Sequence, residues 1–83
     1  MMAIITIYTT PYCPYCVRAK QLLDNKGSEY QEIDVSDRAL RPAMTKLTGG
    51  TTVPQIIINE KVIGGCDDLY ALERAGKLDA LLS

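Results

Sequence analysis

At 83 residues, of which 47% are hydrophobic, the chain suits one small domain spanning residues 1–83 with a modest single core, and a second domain has no room. Its 9 basic and 10 acidic residues give a net charge of -1, so no global basic field draws a phosphate backbone or an anionic lipid surface, and neither nucleic acid nor membrane is an expected partner. Three cysteines are an odd number and too few for the disulfide framework of a secreted mini-protein.

The opening segment MMAIITIY has no basic leader region and no cleavage-site pattern, and is too short to span a bilayer. It reads as a buried strand over residues 3–8 of a soluble, cytoplasmic protein. Over residues 14–26, Cys16, Ala19, Leu22 and Leu23 fall on one helical face, with Arg18, Lys20, Gln21 and Asp24 turned away. Pro14 suits a first helical position, because the N–H it lacks would have had no partner there, and Gly27 is placed to end the helix. Residues 29–35 alternate enough for a second strand. Ser36 and Asp37 are good caps for a second helix reaching about Thr48, which Gly49 and Gly50 stop. Pro42 disturbs that helix: either regular structure begins near Arg41 after a loose turn, or the helix is kinked.

Residues 55–58 and 61–63 then read as a hairpin turning at Asn59-Glu60. The closing segment from Cys66 is helical, with Leu69, Leu72 and Ala75 as an apolar stripe and Gly76 as a break before a last short turn. No internal repeat, linker or low-complexity segment is evident. The order β-α-β-α-β-β-α places a parallel crossover unit before a hairpin, which implies an α/β fold of thioredoxin-like layout: a four-stranded mixed sheet flanked by helices on both faces. The first two strands are parallel neighbours, and the hairpin adds on the other side of the first.

In this layout Cys13 lies at about the N-cap of the first helix and Cys16 one turn further in on the same side, so the pair can close a disulfide without large backbone movement. The open N–H groups and positive dipole end of the helix favour negative charge at Cys13, whose thiol is expected to ionise below the free-thiol value of about 8.5. Cys13 is thus the candidate exposed nucleophile and Cys16 the resolving thiol. Other readings are weaker. A zinc knuckle wants about four ligands, and the chain has no histidine and only Cys66 besides this pair, so no metal is expected. Two inert core cysteines do not suit a Pro/Tyr-rich loop.

The motif CPYC at residues 13–16, the TVP of residues 52–54 and the GGCDD of residues 64–68 occur in order. With these, essentially the whole chain resembles the dithiol glutaredoxins of small bacterial type. The resemblance implies a glutathione-dependent thiol–disulfide oxidoreductase that reduces protein disulfides and glutathione mixed disulfides, with glutathione as co-substrate, disulfide-bonded or glutathionylated proteins as partners, and a monomeric state. It also implies a cis-proline loop at Thr52, Val53 and Pro54, whose Val53 backbone can pair with glutathione as an added strand. The plainer alternative is that Pro54 opens an edge strand. At Gly65, Asp67 and Asp68, helix N–H groups would take the α-carboxylate of glutathione and an Asp its ammonium; capping is the bland role, and both can coexist. Tyr15 either stacks beside the bound peptide or is a loosely exposed aromatic. Cys66 reads as a small apolar filler at the pocket edge.

The chain departs from the family pattern at Thr10, where many members carry a lysine that assists the thiolate and the glycine carboxylate of glutathione. Arg41 aligns with a second-helix position that often meets that carboxylate, yet it precedes Pro42, which biases its backbone away from helix. An alternative function is an iron–sulfur cluster carrier, in which two chains each give Cys13 and glutathione supplies the other thiolates. Pro14 argues against it, because the single-cysteine members that specialise in clusters resemble a different, Gly-containing motif. A plain interaction domain is a third reading.

Overall fold

β1 (Ile5–Thr9) is the strand around which the rest assembles, because its side chains are apolar on both faces. In the computed structural model, which describes residues 3–82, Ile5 and Ile7 point into one core cluster and Tyr8 into another. Met1 and Met2, at the start of the expected opening segment, and Ser83 lie outside the described residues. The chain continues through α1 (Pro14–Asn25), β2 (Gln31–Asp34), α2 (Leu40–Thr48), β3 (Gln55–Ile58), β4 (Lys61–Gly64), α3 (Cys66–Arg74) and α4 (Leu78–Leu82). The sheet order is β2-β1-β3-β4: β1 pairs in parallel with β2, with Tyr8 opposite Ile33, and antiparallel with β3, with Ile7 opposite Ile56. This is the mixed four-stranded sheet expected from the sequence, with the hairpin on the far side of β1 from β2.

The larger core packs Ile5, Ile7, Ile56 and Ile58 of the sheet against Ala19, Leu22 and Leu23 of α1, Leu69 of α3 and Leu78 of α4. Burying each such Ile or Leu contributes about 1.5–3 kcal/mol before entropy is charged against it. On the opposite face Tyr8, Val35 and Met44 form a smaller cluster under α2. The hairpin turn has Asn59 and Glu60 at φ 51° and 68°, the paired left-handed geometry that matches strand twist in a two-residue loop. The Asn59 carboxamide also accepts from the Ile4 N–H at 2.9 Å, which ties the turn to the lead-in to β1.

Two expectations shift, and the choice between two readings of Pro42 is settled. Ser36 and Asp37 do not cap α2: its N-cap is Ala39, and the Asp37 carboxylate instead accepts from the Ala39 N–H at 2.9 Å, shaping the turn ahead of the helix. Of the two alternatives for Pro42 the first holds: regular helix begins at Leu40, next to Arg41, after a turn over residues 37–39, so Pro42 is the third helical residue, where an N–H has no intrahelical acceptor, and Arg41 is helical despite preceding it. In the closing stripe Leu69 is buried and Leu72 half-buried, but Ala75 is exposed because it is already the C-cap of α3. No described helix is long and apolar enough to cross a membrane.

Candidate active site

The loop leaving β1 delivers Cys13 to the N-cap of α1 with extended backbone, φ -117° and ψ 106°. From there its Sγ accepts from the Cys16 N–H at 3.1 Å, which satisfies one of the open donors of the helix start, and as a thiol it donates to the Val53 carbonyl at 3.7 Å. Pro14 follows at the first helical position, as expected. Cys13 is half-buried, whereas Cys16 on the inner face of α1 is 1% exposed. Burial and the hydrogen bond with Cys13 push the Cys16 thiol up to about 12, offset in part by a backbone hydrogen bond from Thr10. The two thiols of one motif therefore occupy different environments.

A cavity of about 580 Å³ opens between α1, the end of α2, the loop before β3 and the start of α3; neither Cys13 nor Cys16 is among its lining residues, but Val53, whose carbonyl accepts from the Cys13 thiol, is. Tyr15 lines it from α1, 55% exposed. Thr52, Val53 and Pro54 line it from the loop, and the Val53–Pro54 peptide bond is cis. Gly65, Asp67 and Asp68 line it from the α3 start. Arg41 is not brought into this cavity; it lines a separate groove along α2. Thr10, half-buried, is not among the residues lining the cavity either.

At the α3 start the two acids differ. The Asp68 carboxylate reaches back to accept from the Gly65 N–H at 3.0 Å, the acid half of a capping box whose N-cap, a glycine, has no side chain to complete it. Asp67 stands exposed in the first turn. Cys66 lies between cavity and core, where burial first and the nearby Asp67 second raise its thiol.

Among the cavity residues, Gln55 and Gly50 lie outside the motifs, and the part played by Gly64 is not legible within its own. Gln55, buried at the start of β3, donates its amide to the Thr52 carbonyl at 3.0 Å and so holds the loop that presents Val53. A polar residue heading an Ile run was the clue to it. Gly50 packs against that amide so closely that a Cβ would collide with it. Gly64, at φ 109°, leaves no space for a Cβ beside the Asp68 carboxylate. Behind the site, Glu32 of β2 accepts from the Thr9 hydroxyl at 2.7 Å and from Lys20 at 3.0 Å. These two bonds hold its carboxyl below the usual range, while the same pair raises Lys20.

Chemically, the arrangement offers a sulfur at a helix N-terminus, a second thiol one turn behind it, and a peptide-sized cleft lined by the 52–54 loop alongside. Comparison with known proteins agrees in kind. The family model for glutaredoxin matches residues 5–63. The chain is 61% identical over 80 residues to a glutaredoxin of Pseudomonas aeruginosa, covering 95% of each. To glutaredoxin 3 of Escherichia coli K12 it is 55% identical over 82 residues, covering 98% of this chain and 99% of that protein. Among solved structures, a crystal structure of a buckwheat glutaredoxin–glutathione complex matches with a TM-score of 0.89 at 37% identity, over 96% of this chain and 76% of that one.

Proposed function

The chain belongs to the glutaredoxin family of thiol–disulfide oxidoreductases, and we propose that it draws on glutathione to reduce both glutathione mixed disulfides and protein disulfides, with Cys13 as nucleophile and Cys16 as resolving thiol. The observation that carries this is the contrast within the pair: Cys13 Sγ sits at the helix end beside the cavity, while Cys16 is buried with its thiol pushed up to about 12. The buckwheat relative, a complex with glutathione, supports glutathione as the peptide that fits the cleft.

On a glutathione mixed disulfide, the Cys13 thiolate attacks the glutathione sulfur. The old S–S bond breaks, the protein thiolate leaves and takes up a proton, and Cys13 now carries glutathione. A second glutathione thiolate attacks that bound sulfur, releasing oxidised glutathione and the Cys13 thiolate. On a protein disulfide, Cys13 forms a mixed disulfide with one substrate sulfur and frees the other. Cys16 then attacks the Cys13 sulfur and releases the substrate dithiol, and two glutathiones re-reduce the resulting Cys13–Cys16 disulfide. Burial, the largest cause that raises the Cys16 thiol, persists along this route, but two lesser causes do not. Its hydrogen bond with Cys13 and the repulsion from charge there both act only while Cys13 is free. Once Cys13 is bound in a disulfide they vanish, and Cys16 ionises more easily when its attack is needed.

In the bound pose, the glutathione backbone pairs with Val53 next to Thr52 and Pro54, and Tyr15 covers its flank. Its γ-glutamyl carboxylate takes N–H groups at the Gly65 end of α3. Because Asp68 is engaged by the Gly65 N–H, Asp67 is the acid left for the ammonium. Arg41 reaches the glycine carboxylate only by extending its side chain from outside the cavity wall. The protein acts as a monomer in a reducing cytoplasm, a setting that suits two free thiols of this kind.

The test is turnover of a small glutathione mixed disulfide and of a disulfide protein by wild type, Cys13→Ser and Cys16→Ser, with glutathione, its reductase and NADPH supplying electrons. Cys13→Ser should lose both activities, and Cys16→Ser should keep the first and lose the second. Equal losses on the small substrate would sink the assignment of roles.

A further inference from the structure

We propose that the α2 face beside the active-site cavity is a docking surface for an acidic segment of the protein whose disulfide is reduced. The inference rests on the two-thiol reading above and adds to it a class of partner. A groove of about 580 Å³ is lined by Arg38, Arg41, Pro42, Thr45, Lys46 and Thr51. All three of its charged residues are cations. None of the ion pairs among the described residues uses them; those pairs engage Lys20 and Lys26. Between Asp37 and Glu60 the chain has no acidic residue at all, so in a protein of net charge -1 this stretch holds an isolated field of one sign.

Pro42, Thr45 and Thr51 line the groove among the cations, and a proline ring, threonine methyls and the aliphatic stems of arginine and lysine are groups that a side chain can cover while its carboxylate meets a guanidinium. The groove also adjoins the chemistry, since Thr51 lines it and the next residue, Thr52, lines the cavity beside Cys13. On the far side of that cavity stand Asp67 and Asp68. An acidic segment is therefore repelled from the α3 end and drawn to the α2 end, which fixes the direction in which it lies. In the two-thiol route glutathione has not yet entered when Cys13 attacks, so the substrate cysteine takes the cavity and its flank takes the groove. Two electrons pass from the Cys13–Cys16 dithiol to the substrate disulfide, as in the reaction already described.

The test uses a cyclic disulfide peptide flanked by glutamates and the same peptide flanked by lysines, assayed with glutathione, its reductase and NADPH. Wild type should favour the glutamate peptide about tenfold in kcat/KM at low ionic strength, and the preference should shrink at about 0.5 M salt. The exposed double variant Arg38→Glu/Lys46→Glu should reverse the preference while turning over a small glutathione mixed disulfide at the wild-type rate. A gain on the lysine peptide cannot come from misfolding. A redox-inactive oligoglutamate should compete with the glutamate peptide in wild type. Equal use of both peptides by wild type, or an unchanged preference in the variant, overturns the docking surface and leaves the two-thiol reading standing. Competition by a single-stranded oligonucleotide but not by oligoglutamate makes the occupant a nucleic acid and also overturns it. A wild type inert on both peptides overturns the two-thiol reading, and docking with it.

Discussion

Replacing Asp68 with alanine separates capping from ligand binding at the start of α3. The wild-type carboxylate accepts from the Gly65 N–H at 3.0 Å, and the N-cap glycine has no side chain to substitute for it. Losing that bond costs about 1 kcal/mol, the usual worth of a helix cap, and losing a negative charge from the first turn adds about 0.3–0.5 kcal/mol. A domain of this size loses about 4–8 °C of melting temperature per kcal/mol, so Asp68→Ala should melt about 5–12 °C below wild type. Asp67→Ala removes the same first-turn charge without a cap and should fall by no more than about 4 °C. Glutathione kinetics should order the two in the opposite sense. Asp67→Ala should raise the KM for glutathione about tenfold, the worth of one partly solvated charge-assisted hydrogen bond, and Asp68→Ala should raise it less. Thermal unfolding by circular dichroism and the coupled glutathione assay measure the two effects on the same samples. If Asp67→Ala proves the less stable of the pair, or Asp68→Ala melts with wild type, the division of labour between these acids is wrong.

Iodoacetamide at pH 7 should modify the reduced native protein once, at Cys13, because Cys16 and Cys66 are buried and their thiols raised; peptide mapping that finds early labelling at either buried cysteine contradicts this. Gly64→Ala should destabilise by about 1–2 kcal/mol from its φ of 109° alone, with a further loss as the Asp68 cap is pushed aside, measurable by urea unfolding. Glu32 has its carboxyl lowered from an ordinary 4.5 by Thr9 and Lys20. Its contribution to stability is therefore full above about 4.5 and is lost as pH falls through the lower folded value, so wild type should lose stability over that acid range more steeply than Glu32→Gln. Parallel stability–pH curves for the two would show that these bonds add nothing to folding.

Local chemistry alone determined much of this protein. Pro14 and Gly27 bracket α1 because one lacks a donor where none is needed and the other ends a helix without steric cost, and the period of Cys16, Ala19, Leu22 and Leu23 chose the buried face. The positive φ of Asn59 and Glu60 realises the hairpin turn that their place between two apolar runs announced. The short motifs pointed to Tyr15, the 52–54 loop and the α3 start, and the fold lines one cavity with them. Tertiary structure decided what no short-range rule could. Whether Ser36, Asp37 or Ala39 begins α2 depends on how the chain leaves β2, and that choice decided between the two readings of Pro42 by placing it in the first helical turn, where it is harmless. The placing of Gln55 under Thr52, of Gly64 against Asp68 and of Arg41 outside the cavity follows from how separate segments meet. So does the unlike state of two cysteines three residues apart: spacing puts both on one side of a helix, but the burial of Cys16 is the largest cause that raises its thiol, and desolvation depends on neighbours that the motif does not contain.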